Sequence, residues 1–253
     1  MHFARTALVT GGARRIGLAI VRDLAEHGWA VAIHCKSSAV EAEAIAADIR
    51  AGGGRAAVIA ADLGDPLALA GVVTKANEAL GPIDLLVNNA ALFVPDRAGS
   101  LDYRLWQTHF DINLRAPVFL ADAFAAQLPE GAEGNIVNII DQRVWNPNPL
   151  AVSYTLTKSA LWTATQVLAQ AFAPGIRVNA IGPGPTFPSA AEGEPGLARE
   201  VAGIPLERRV DPADFGRAIR FLVETRSMTG QMLALDSGQH LGWQTPDVTG
   251  GPQ

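Results

Sequence analysis

The N-terminal part of the sequence restricts the fold more than any other feature. An apolar run at residues 6–10 is followed by a glycine-rich turn at 11–17, a stretch with helical spacing at 18–27 and a second apolar run at 30–34. This order of strand, turn, helix and strand is typical of a βαβ unit. Strands joined by such a crossover lie parallel and need helices over both faces, so the start of the chain predicts an α/β fold.

The same alternation continues along the chain. Apolar runs predict further strands at residues 56–61, 83–87, 135–140, 177–181 and 231–235. Helices are predicted between them at residues 39–51, 65–79, 103–126 (broken near Pro117), 154–172 and 211–225. No repeat or linker divides the sequence, so we expect one domain over residues 1–253. Residues 187–204, rich in Gly, Pro and Glu, predict a mobile substrate lid, and residues 245–253 a loosely held tail.

Composition excludes several classes of protein. Hydrophobic residues make up 49% of the 253 residues, which supports a sizeable core and argues against disorder. The net charge of −5 gives no basic field for nucleic acid, and no apolar run approaches the roughly 18 residues of a membrane span. Cys35 is the only cysteine and the start shows no signal-peptide pattern, so we expect a cytoplasmic protein without disulfides. We predict no metal site.

The glycine-rich turn brings backbone N–H groups and a helix N-terminus together, which suits a pyrophosphate. Gly11, Ile16 and Gly17 are therefore candidate cofactor-binding residues, although a plain tight turn would have the same glycine content. Arg15 occupies a position where a third glycine is common, and Arg14 precedes it. Their guanidinium groups are either solvated surface charges or ligands for a phosphate or an electron-rich substrate.

The end of the second strand predicts which nicotinamide cofactor the chain prefers. An acidic residue at that place would bind the ribose 2′-hydroxyl of NAD. The residues found there are instead His34, Lys36, Ser37 and Ser38. Lys36 and Ser37, together with Arg14, offer positive charge and hydrogen-bond donors to a 2′-phosphate. We therefore expect NADPH rather than NADH, while Ser38 also fits an ordinary polar loop.

Asn89 and Ala90 follow the fourth predicted strand and are expected to line the same cofactor, because doubly wound folds hold ligands at that edge of the sheet. Asp62 and Leu63 follow the third predicted strand, and Pro183, Gly184 and Thr186 follow the sixth.

Tyr154 and Lys158 are four residues apart, so they share one face of a predicted helix. A phenol beside an ammonium group is a candidate proton donor, because the positive charge lowers the pKa of the tyrosine. Asp141 follows the apolar run before this helix and adds a third titratable group. The Tyr–Lys spacing is also frequent by chance. Asn113 is mildly unfavourable within its predicted helix, where Pro117 leaves a nearby carbonyl unpaired.

Together, these residues resemble the short-chain dehydrogenase/reductase family. The motifs come in family order and are Thr10, Gly11, Ile16, Gly17, Asp62, Leu63, Asn88, Asn89, Ala90, Asn113, Tyr154, Lys158, Pro183 and Gly184. The resemblance covers nearly the whole chain. It implies a single Rossmann-type doubly wound domain, with a seven-stranded parallel sheet and helices on both faces. It also implies a nicotinamide cofactor, catalytic Tyr154 and Lys158, and a homo-oligomer, commonly a tetramer. Further contacts to that cofactor are expected from Asp62, Leu63, Pro183, Gly184 and Thr186.

One residue departs from the family pattern, because Asp141 stands where the family usually has serine. A carboxylate there would repel a developing alkoxide, whereas it suits a substrate with N–H donors or a ring nitrogen that needs a proton. Asp, Tyr and Lys at this spacing resemble the pteridine reductase branch. Arg15 stands where that branch carries arginine, expected to contact phosphate and the pterin edge, and Phe93 where an aromatic residue stacks on the pterin. Ser37 replaces an expected arginine, but no acid reverses the NADPH preference.

The resemblance implies hydride transfer from NADPH to a C=N carbon of a dihydropterin-like or dihydrofolate-like ring, held between Phe93 and the nicotinamide. Tyr154 would deliver or relay the proton. Asp141 would hold Tyr154 and bind ring N–H groups, or carry the proton itself through water. Lys158 would also bind the nicotinamide ribose. Asn113 would hold the water and backbone arrangement that connects Lys158 to solvent.

Other interpretations stay open. Phe93 also fits a loop aromatic packed on the core, and Asp141 a structural cap or a sign of lost activity. Trp145 either lines the site or covers the loop. For the whole chain, a generic NADPH-dependent carbonyl or 3-oxoacyl reductase is the alternative function. A regulatory protein that binds cofactor without chemistry is a third, against which the intact Tyr154 and Lys158 argue.

Overall fold

The computed structural model describes residues 5–189 and 192–242, and seven strands within them form one sheet. The strands are β1 (Thr6–Val9), β2 (Ala30–Cys35), β3 (Ala56–Ala60), β4 (Leu85–Asn88), β5 (Gly134–Ile139), β6 (Ile176–Pro183) and β7 (Met232–Leu235). Their order across the sheet is β3-β2-β1-β4-β5-β6-β7, and every pairing is parallel. The expected seven-stranded, doubly wound fold is confirmed.

Helices connect the strands and cover both faces of the sheet. They are α1 (Arg15–Glu26), α2 (Ala39–Ala51), α3 (Pro66–Ala70), α4 (Val72–Leu80), α5 (Tyr103–Phe110), α6 (Ala116–Gln127), α7 (Val152–Ala171), α8 (Gly193–Ala202) and α9 (Ala213–Glu224). Two begin at aspartate caps: Asp65 Oδ1 accepts from the Leu67 N–H at 2.9 Å, and Asp102 Oδ1 from the Leu105 N–H at 2.7 Å.

The strands are buried on both sides, and alternate residues of one strand point into different layers. In β1, Ala7 and Val9 pack with α1, α2 and α9, whereas Leu8 packs with α4, α6 and α7. All three side chains are fully buried. Two-sided burial explains the continuous apolar runs of the sequence, and each buried Val or Leu contributes roughly 1.5–3 kcal/mol relative to exposure.

The strand order reverses direction at β1, which lies between β2 and β4. Ligands of doubly wound sheets bind in the crevice at such a point, beyond the C-terminal ends of the strands. The turn after β1 lies there and stays close to β4, because the Thr10 N–H donates to the Val87 carbonyl oxygen at 3.0 Å.

Three predicted segments differ from the structure. Gly71 divides the helix predicted at 65–79, since it ends α3 and caps α4. The helix predicted at 103–126 contains a π-helical turn, Asp111–Arg115, which lies ahead of Pro117 rather than at it. The segment 187–204 contains the helix α8, whose Gly and Pro content had obscured it.

The predicted tail at 245–253 lies outside the described residues, as do residues 190 and 191 of the predicted lid. None of the helices in the described ranges has the length and apolar character that a membrane span requires.

Candidate active site

The glycine-rich turn is fastened to the end of β4 by Thr10 and Asn89. The Asn89 N–H donates to Thr10 Oγ1 at 2.9 Å, and Asn89 Nδ2 donates to the carbonyl oxygens of Thr10 at 2.8 Å and Gly11 at 3.1 Å. Gly17 packs closely against the backbone of Gly11, because a Cβ on Gly17 would lie 2.2 Å from the Gly11 carbonyl oxygen. Helix α1 then begins without a side-chain cap, which leaves its first N–H groups to an anionic ligand.

Arg15 and Arg14 leave this turn in different directions. Arg15 has a φ of +54°, a backbone conformation that favours glycine and costs another residue ~1–3 kcal/mol. Its guanidinium donates to the carbonyl oxygens of Pro188 at 2.9 Å and Phe187 at 3.3 Å, at the start of the predicted lid. Arg14 instead forms an exposed ion pair with Glu41 on α2.

The imidazole of His34 connects the glycine-rich turn to the end of β3. The Gly11 N–H donates to Nδ1 at 3.1 Å, and Nε2 lies 3.1 Å from the Ala61 carbonyl oxygen. Nε2 therefore carries the proton, and the ring is neutral. Burial lowers the pKa of His34 from 6.5 to about 4. The ring thus supports the turn, and its direct contact with a cofactor stays a prediction.

The residues predicted to meet a 2′-phosphate lie together beyond β2. Lys36 Nζ lies 2.7 Å from Asp62 Oδ2, and this hydrogen bond lowers the pKa of Asp62. Lys36 and Ser37 are exposed, Ser38 is half-buried and Leu63 is buried. An ion pair between exposed side chains is worth only ~0–1 kcal/mol, so the pairing leaves Lys36 free to turn toward an anion.

Tyr154 and Asp141 are in direct contact. The Tyr154 hydroxyl donates to Asp141 Oδ2 at 3.0 Å, and Asp141 Oδ1 accepts from the Arg143 N–H at 2.9 Å. Burial raises the pKa of Tyr154 above its ordinary value, and the charge and hydrogen bond of Asp141 raise it further. The predicted lowering of the Tyr154 pKa is wrong, because burial and Asp141 together outweigh the lowering effect of the Arg143 charge.

Lys158 lies on the same helix face, with its Nζ 5.8 Å from the centroid of the Tyr154 ring. It donates to the Ile139 carbonyl oxygen at the end of β5, at 2.8 Å. Burial lowers the pKa of Lys158 to about 8, while Asp141 acts in the opposite direction. The lysine is thus a buried cation near neutral pH, held between the strand end and the phenol.

Phe93 is not packed into the core, because 44% of it is exposed. Its ring meets the Tyr154 ring edge-on, with 4.8 Å between the centroids, and the Arg143 guanidinium lies 5.2 Å from its centroid. Asn113, buried in the π-helical turn, holds Leu92, the residue before Phe93. Its Oδ1 accepts from the Leu92 N–H at 2.8 Å, and its Nδ2 donates to the Leu92 carbonyl oxygen at 2.9 Å.

The predicted cofactor contacts after β6 begin at Pro183, the last residue of that strand. A Cβ on Gly184 would lie 2.5 Å from the Cα of Asp236, so only glycine fits this approach. Thr186 Oγ1 donates to the Gly184 carbonyl oxygen at 3.0 Å. Trp145 is 45% exposed and packs against His240, with 5.1 Å between the ring centroids.

Three residues that shape the site carried no signal in the sequence: His109, Ser153 and Arg209. His109 Nδ1 lies 2.6 Å from Ser153 Oγ, next to Tyr154. Arg209 Nε donates to the Thr186 carbonyl oxygen at 2.6 Å. Their partners lie 44 and 23 residues away along the chain, so no local spacing marks them.

This geometry combines an anion-binding turn, an open aromatic ring and a proton donor at one edge of the sheet. Tyr154 holds its proton and shares it with a carboxylate, and Lys158 places a positive charge beside it. Such an arrangement can hold a planar ring against Phe93 and pass a proton to it.

Comparison with known proteins agrees with this geometry. The family model described as short chain dehydrogenase matches residues 5–194. The chain is similar to an uncharacterized oxidoreductase of Methylorubrum extorquens, at 32% identity over 92% of this chain and 97% of that protein. It is also similar to the 3-oxoacyl-[acyl-carrier-protein] reductase FabG of Staphylococcus aureus, at 28% identity over 95% of this chain and 100% of that protein.

Two solved structures are more similar. One is FolM alternative dihydrofolate reductase 1 from Brucella canis complexed with NADP, with a TM-score of 0.95, 55% identity and 97% of each chain covered. The other is the same protein from Brucella suis in complex with NADP. Its TM-score is 0.94 and its identity 56%, over 96% of this chain and 98% of that one.

Proposed function

The chain belongs to the short-chain dehydrogenase family, and we propose that it is an NADPH-dependent reductase of a C=N bond in a dihydropterin or dihydrofolate. The observation that carries this proposal is the 3.0 Å hydrogen bond between the Tyr154 hydroxyl and Asp141 Oδ2. The similarity to NADP-bound FolM dihydrofolate reductases, at 55% identity, supports the same assignment.

A carboxylate at this position favours a nitrogen heterocycle over a ketone. Ketone reduction builds negative charge on an oxygen beside Tyr154, and two unit charges about 4 Å apart repel by about 4 kcal/mol at an effective dielectric constant near 20. A dihydropterin instead offers N–H donors that Asp141 can accept and a ring nitrogen that needs a proton. The same residue thus hinders one reaction and assists the other.

In this proposal, the reaction adds a hydride to carbon and a proton to nitrogen. The nicotinamide, when bound, supplies the hydride. Tyr154 would deliver or relay the proton to the ring nitrogen, and Asp141 would accept the hydrogen bonds of the pterin edge. The Lys158 ammonium would offset the charge of the phenolate that this step leaves beside Asp141. Phe93 provides the exposed aromatic face against which the substrate ring lies.

We also propose that NADPH is bound along the glycine-rich turn. The close approach of Gly17 to the Gly11 oxygen and the uncapped start of α1 fit an anionic dinucleotide. Arg14 and Lys36 would hold a 2′-phosphate. The other proposed cofactor contacts are Arg15, Ile16, His34, Ser37, Ser38, Asp62, Leu63, Asn89, Ala90, Tyr154, Lys158, Pro183, Gly184 and Thr186.

Replacing Asp141 with serine tests the proposal. Serine keeps an oxygen that can accept from the Arg143 N–H but removes the charge. We expect Asp141→Ser to reduce the kcat of dihydropterin reduction by ~100-fold or more, the usual contribution of acid–base catalysis, and to increase the reduction of ketones. Asp122→Ser, at an exposed position on α6, is the matched control. Unchanged dihydropterin turnover in Asp141→Ser would overturn the assignment.

The alternative function, reduction of ketones or 3-oxoacyl thioesters, is supported by the similarity to FabG over 95% of this chain. It predicts that unmodified protein oxidises NADPH with a 3-oxoacyl thioester faster than with any dihydropterin. It also predicts little gain in ketone reduction from Asp141→Ser.

We propose that the segment 187–204 acts as a substrate lid hinged at Thr186. Arg15 donates to the Phe187 and Pro188 carbonyl oxygens at its start, and Arg209 donates to the Thr186 carbonyl oxygen just before it. The two guanidinium groups lie 5.3 and 5.6 Å from the Phe187 ring centroid. Amide hydrogen exchange in α8 should slow when NADP and a substrate analogue bind. Equal exchange with and without ligands would contradict a lid.

We propose a homotetramer in the cytoplasm. Large apolar side chains on α6 and α7 are exposed, with Phe119 at 60%, Leu156 at 46% and Val167 at 55%, and such patches commonly mark interfaces. The free thiol of Cys35 is compatible with a reducing compartment. Light scattering should give a tetramer mass that Phe119→Glu reduces.

A further inference from the structure

The segment that carries Phe93 is attached to its surroundings at three points. We call residues 92–96 the Phe93 loop. At one end, the Asn113 side chain holds the backbone N–H and carbonyl of Leu92. At the other end, the Asp96 carboxylate accepts from the Ser153 N–H at 3.1 and 3.2 Å. The third point is in the middle of the loop.

His109 of α5 makes this middle attachment. The Val94 N–H donates to His109 Nε2 at 3.3 Å, and His109 Nδ1 lies 2.6 Å from Ser153 Oγ. His109 and Ser153 are both completely buried. Because Nε2 accepts a hydrogen bond, the neutral ring carries its proton on Nδ1 and donates it to the serine. One imidazole therefore joins the residue after Phe93 to the residue before Tyr154.

The rings around this bridge are in contact. The His109 and Tyr154 rings are inclined at 70°, with 6.3 Å between their centroids. The centroid of the Phe93 ring lies 4.8 Å from that of Tyr154. Phe93 itself has no polar group that could fix its place, and 44% of it is exposed. Its position relative to the phenol therefore depends on the backbone of its loop.

We propose that His109 is a positioning residue, which fixes the Phe93 ring relative to the Tyr154 ring and thereby the aromatic face against which a planar substrate lies. This inference rests on the proposed function, since it assigns to that site the residue that holds this face in place. Asn113 and Asp96 hold the two ends of the loop. His109 holds the residue after Phe93 and connects it to Ser153 on α7. His109 acts through Phe93 and Tyr154 and does not touch the substrate.

Steady-state kinetics of two variants test the proposal. His109→Leu removes both hydrogen bonds, and His109→Gln keeps an acceptor at the distance of Nε2. We expect His109→Leu to raise the KM for a dihydropterin about tenfold, because, of its two lost bonds, the one from the Val94 N–H holds the Phe93 loop and a buried hydrogen bond has about this effect. The KM for NADPH should stay unchanged. His109→Gln should recover most of this loss. Equal changes in the KM values for the dihydropterin and for NADPH would overturn the inference. So would a KM for the dihydropterin in His109→Gln as high as that in His109→Leu.

A matched control separates positioning from general destabilisation. Thr165 is also completely buried, lies farther along α7 and accepts from Asn138 Nδ2 at 2.9 Å. Thr165→Val loses a comparable buried hydrogen bond away from the site, and it should leave the dihydropterin KM unchanged. If His109→Leu does not fold, Ser153→Ala removes only the serine hydroxyl and should raise the same KM by a smaller factor. A Ser153→Ala variant with an unaltered dihydropterin KM would overturn the bridge.

A spectroscopic measurement judges His109 without any turnover. 4-Fluorophenylalanine incorporated at position 93 reports on its contact with the Tyr154 ring through the ¹⁹F chemical shift. Full-length protein should give one shifted resonance, which moves toward the free amino acid in His109→Leu and returns in His109→Gln. An unmoved resonance in His109→Leu would refute the positioning role. If no dihydropterin is reduced by the unmodified protein, the proposed function fails, but this resonance still decides the role of His109.

Discussion

His34 provides a quantitative test of how the glycine-rich turn is held, because its neutral ring is part of the structure. The Gly11 N–H donates to Nδ1, and Nε2 donates to the Ala61 carbonyl oxygen. Protonation of Nδ1 would place two donors against each other inside the protein. The variant His34→Asn keeps an acceptor near the position of Nδ1 but cannot be protonated, so it isolates the effect of the charge.

The expected magnitude follows from the pKa. Burial lowers the pKa of His34 from 6.5 to about 4, so between these values the unfolded chain binds a proton that the folded chain does not. Folding stability therefore falls as the pH drops through this window, and the loss is complete once the folded state is also protonated. At about 1.4 kcal/mol per tenfold difference in proton affinity, the loss amounts to roughly 3 kcal/mol.

Urea unfolding at a series of pH values, followed by tryptophan fluorescence, measures this loss. Burial also raises the pKa of Asp84, to about 6, and this carboxyl makes stability rise as the pH drops over nearly the same window. The comparison between unmodified protein and His34→Asn cancels the Asp84 contribution. The difference in unfolding free energy should change by roughly 3 kcal/mol between pH 6.5 and about pH 4. Parallel curves for the two proteins would refute the buried neutral histidine.

Three further predictions concern the site. Gly17→Ala places a Cβ 2.2 Å from the Gly11 oxygen, so we expect a loss of ~1–3 kcal/mol in urea unfolding and no NADPH binding by fluorescence titration; normal binding would contradict the cradle. Asn113→Ala frees the backbone of Leu92, and the KM for a dihydropterin should rise about tenfold; an unchanged KM would show that the loop keeps its place without it. Lys158 loses its proton above about pH 8, so kcat should fall above that pH, and Lys158→Arg should move this decline to higher pH. A decline at the same pH in Lys158→Arg would contradict the role of the lysine charge.

Local patterns in the sequence predicted the parts of the site that depend on local structure. The turn after β1 and the helix face shared by Tyr154 and Lys158 follow from short spacings, because a turn and a helix are formed by neighbours in the chain. The departure at Asp141 was also visible, because the family that the chain resembles usually has serine at this position. The contact that it makes with Tyr154 spans 13 residues and joins a strand end to a helix.

The remaining features depend on which distant groups meet. The predicted direction of the Tyr154 pKa shift was wrong, because burial and Asp141 raise this pKa. The Lys158 ammonium donates its hydrogen bond to the Ile139 carbonyl oxygen. His109 carried no signal because its partners come from the Phe93 loop and α7. Helix α8 was missed because Gly and Pro argue against a helix locally, although Leu197 is buried there and anchors it.

The most direct test of the proposed function is NADPH oxidation by the unmodified protein with dihydrobiopterin, dihydromonapterin and dihydrofolate, compared with a 3-oxoacyl thioester and a quinone. The carboxylate of Asp141 beside Tyr154 predicts that kcat/KM for at least one dihydropterin exceeds that for either carbonyl substrate by tenfold or more, a difference of about 1.4 kcal/mol in transition-state stabilisation. Good turnover of the thioester or quinone, with no turnover of any dihydropterin, would contradict it.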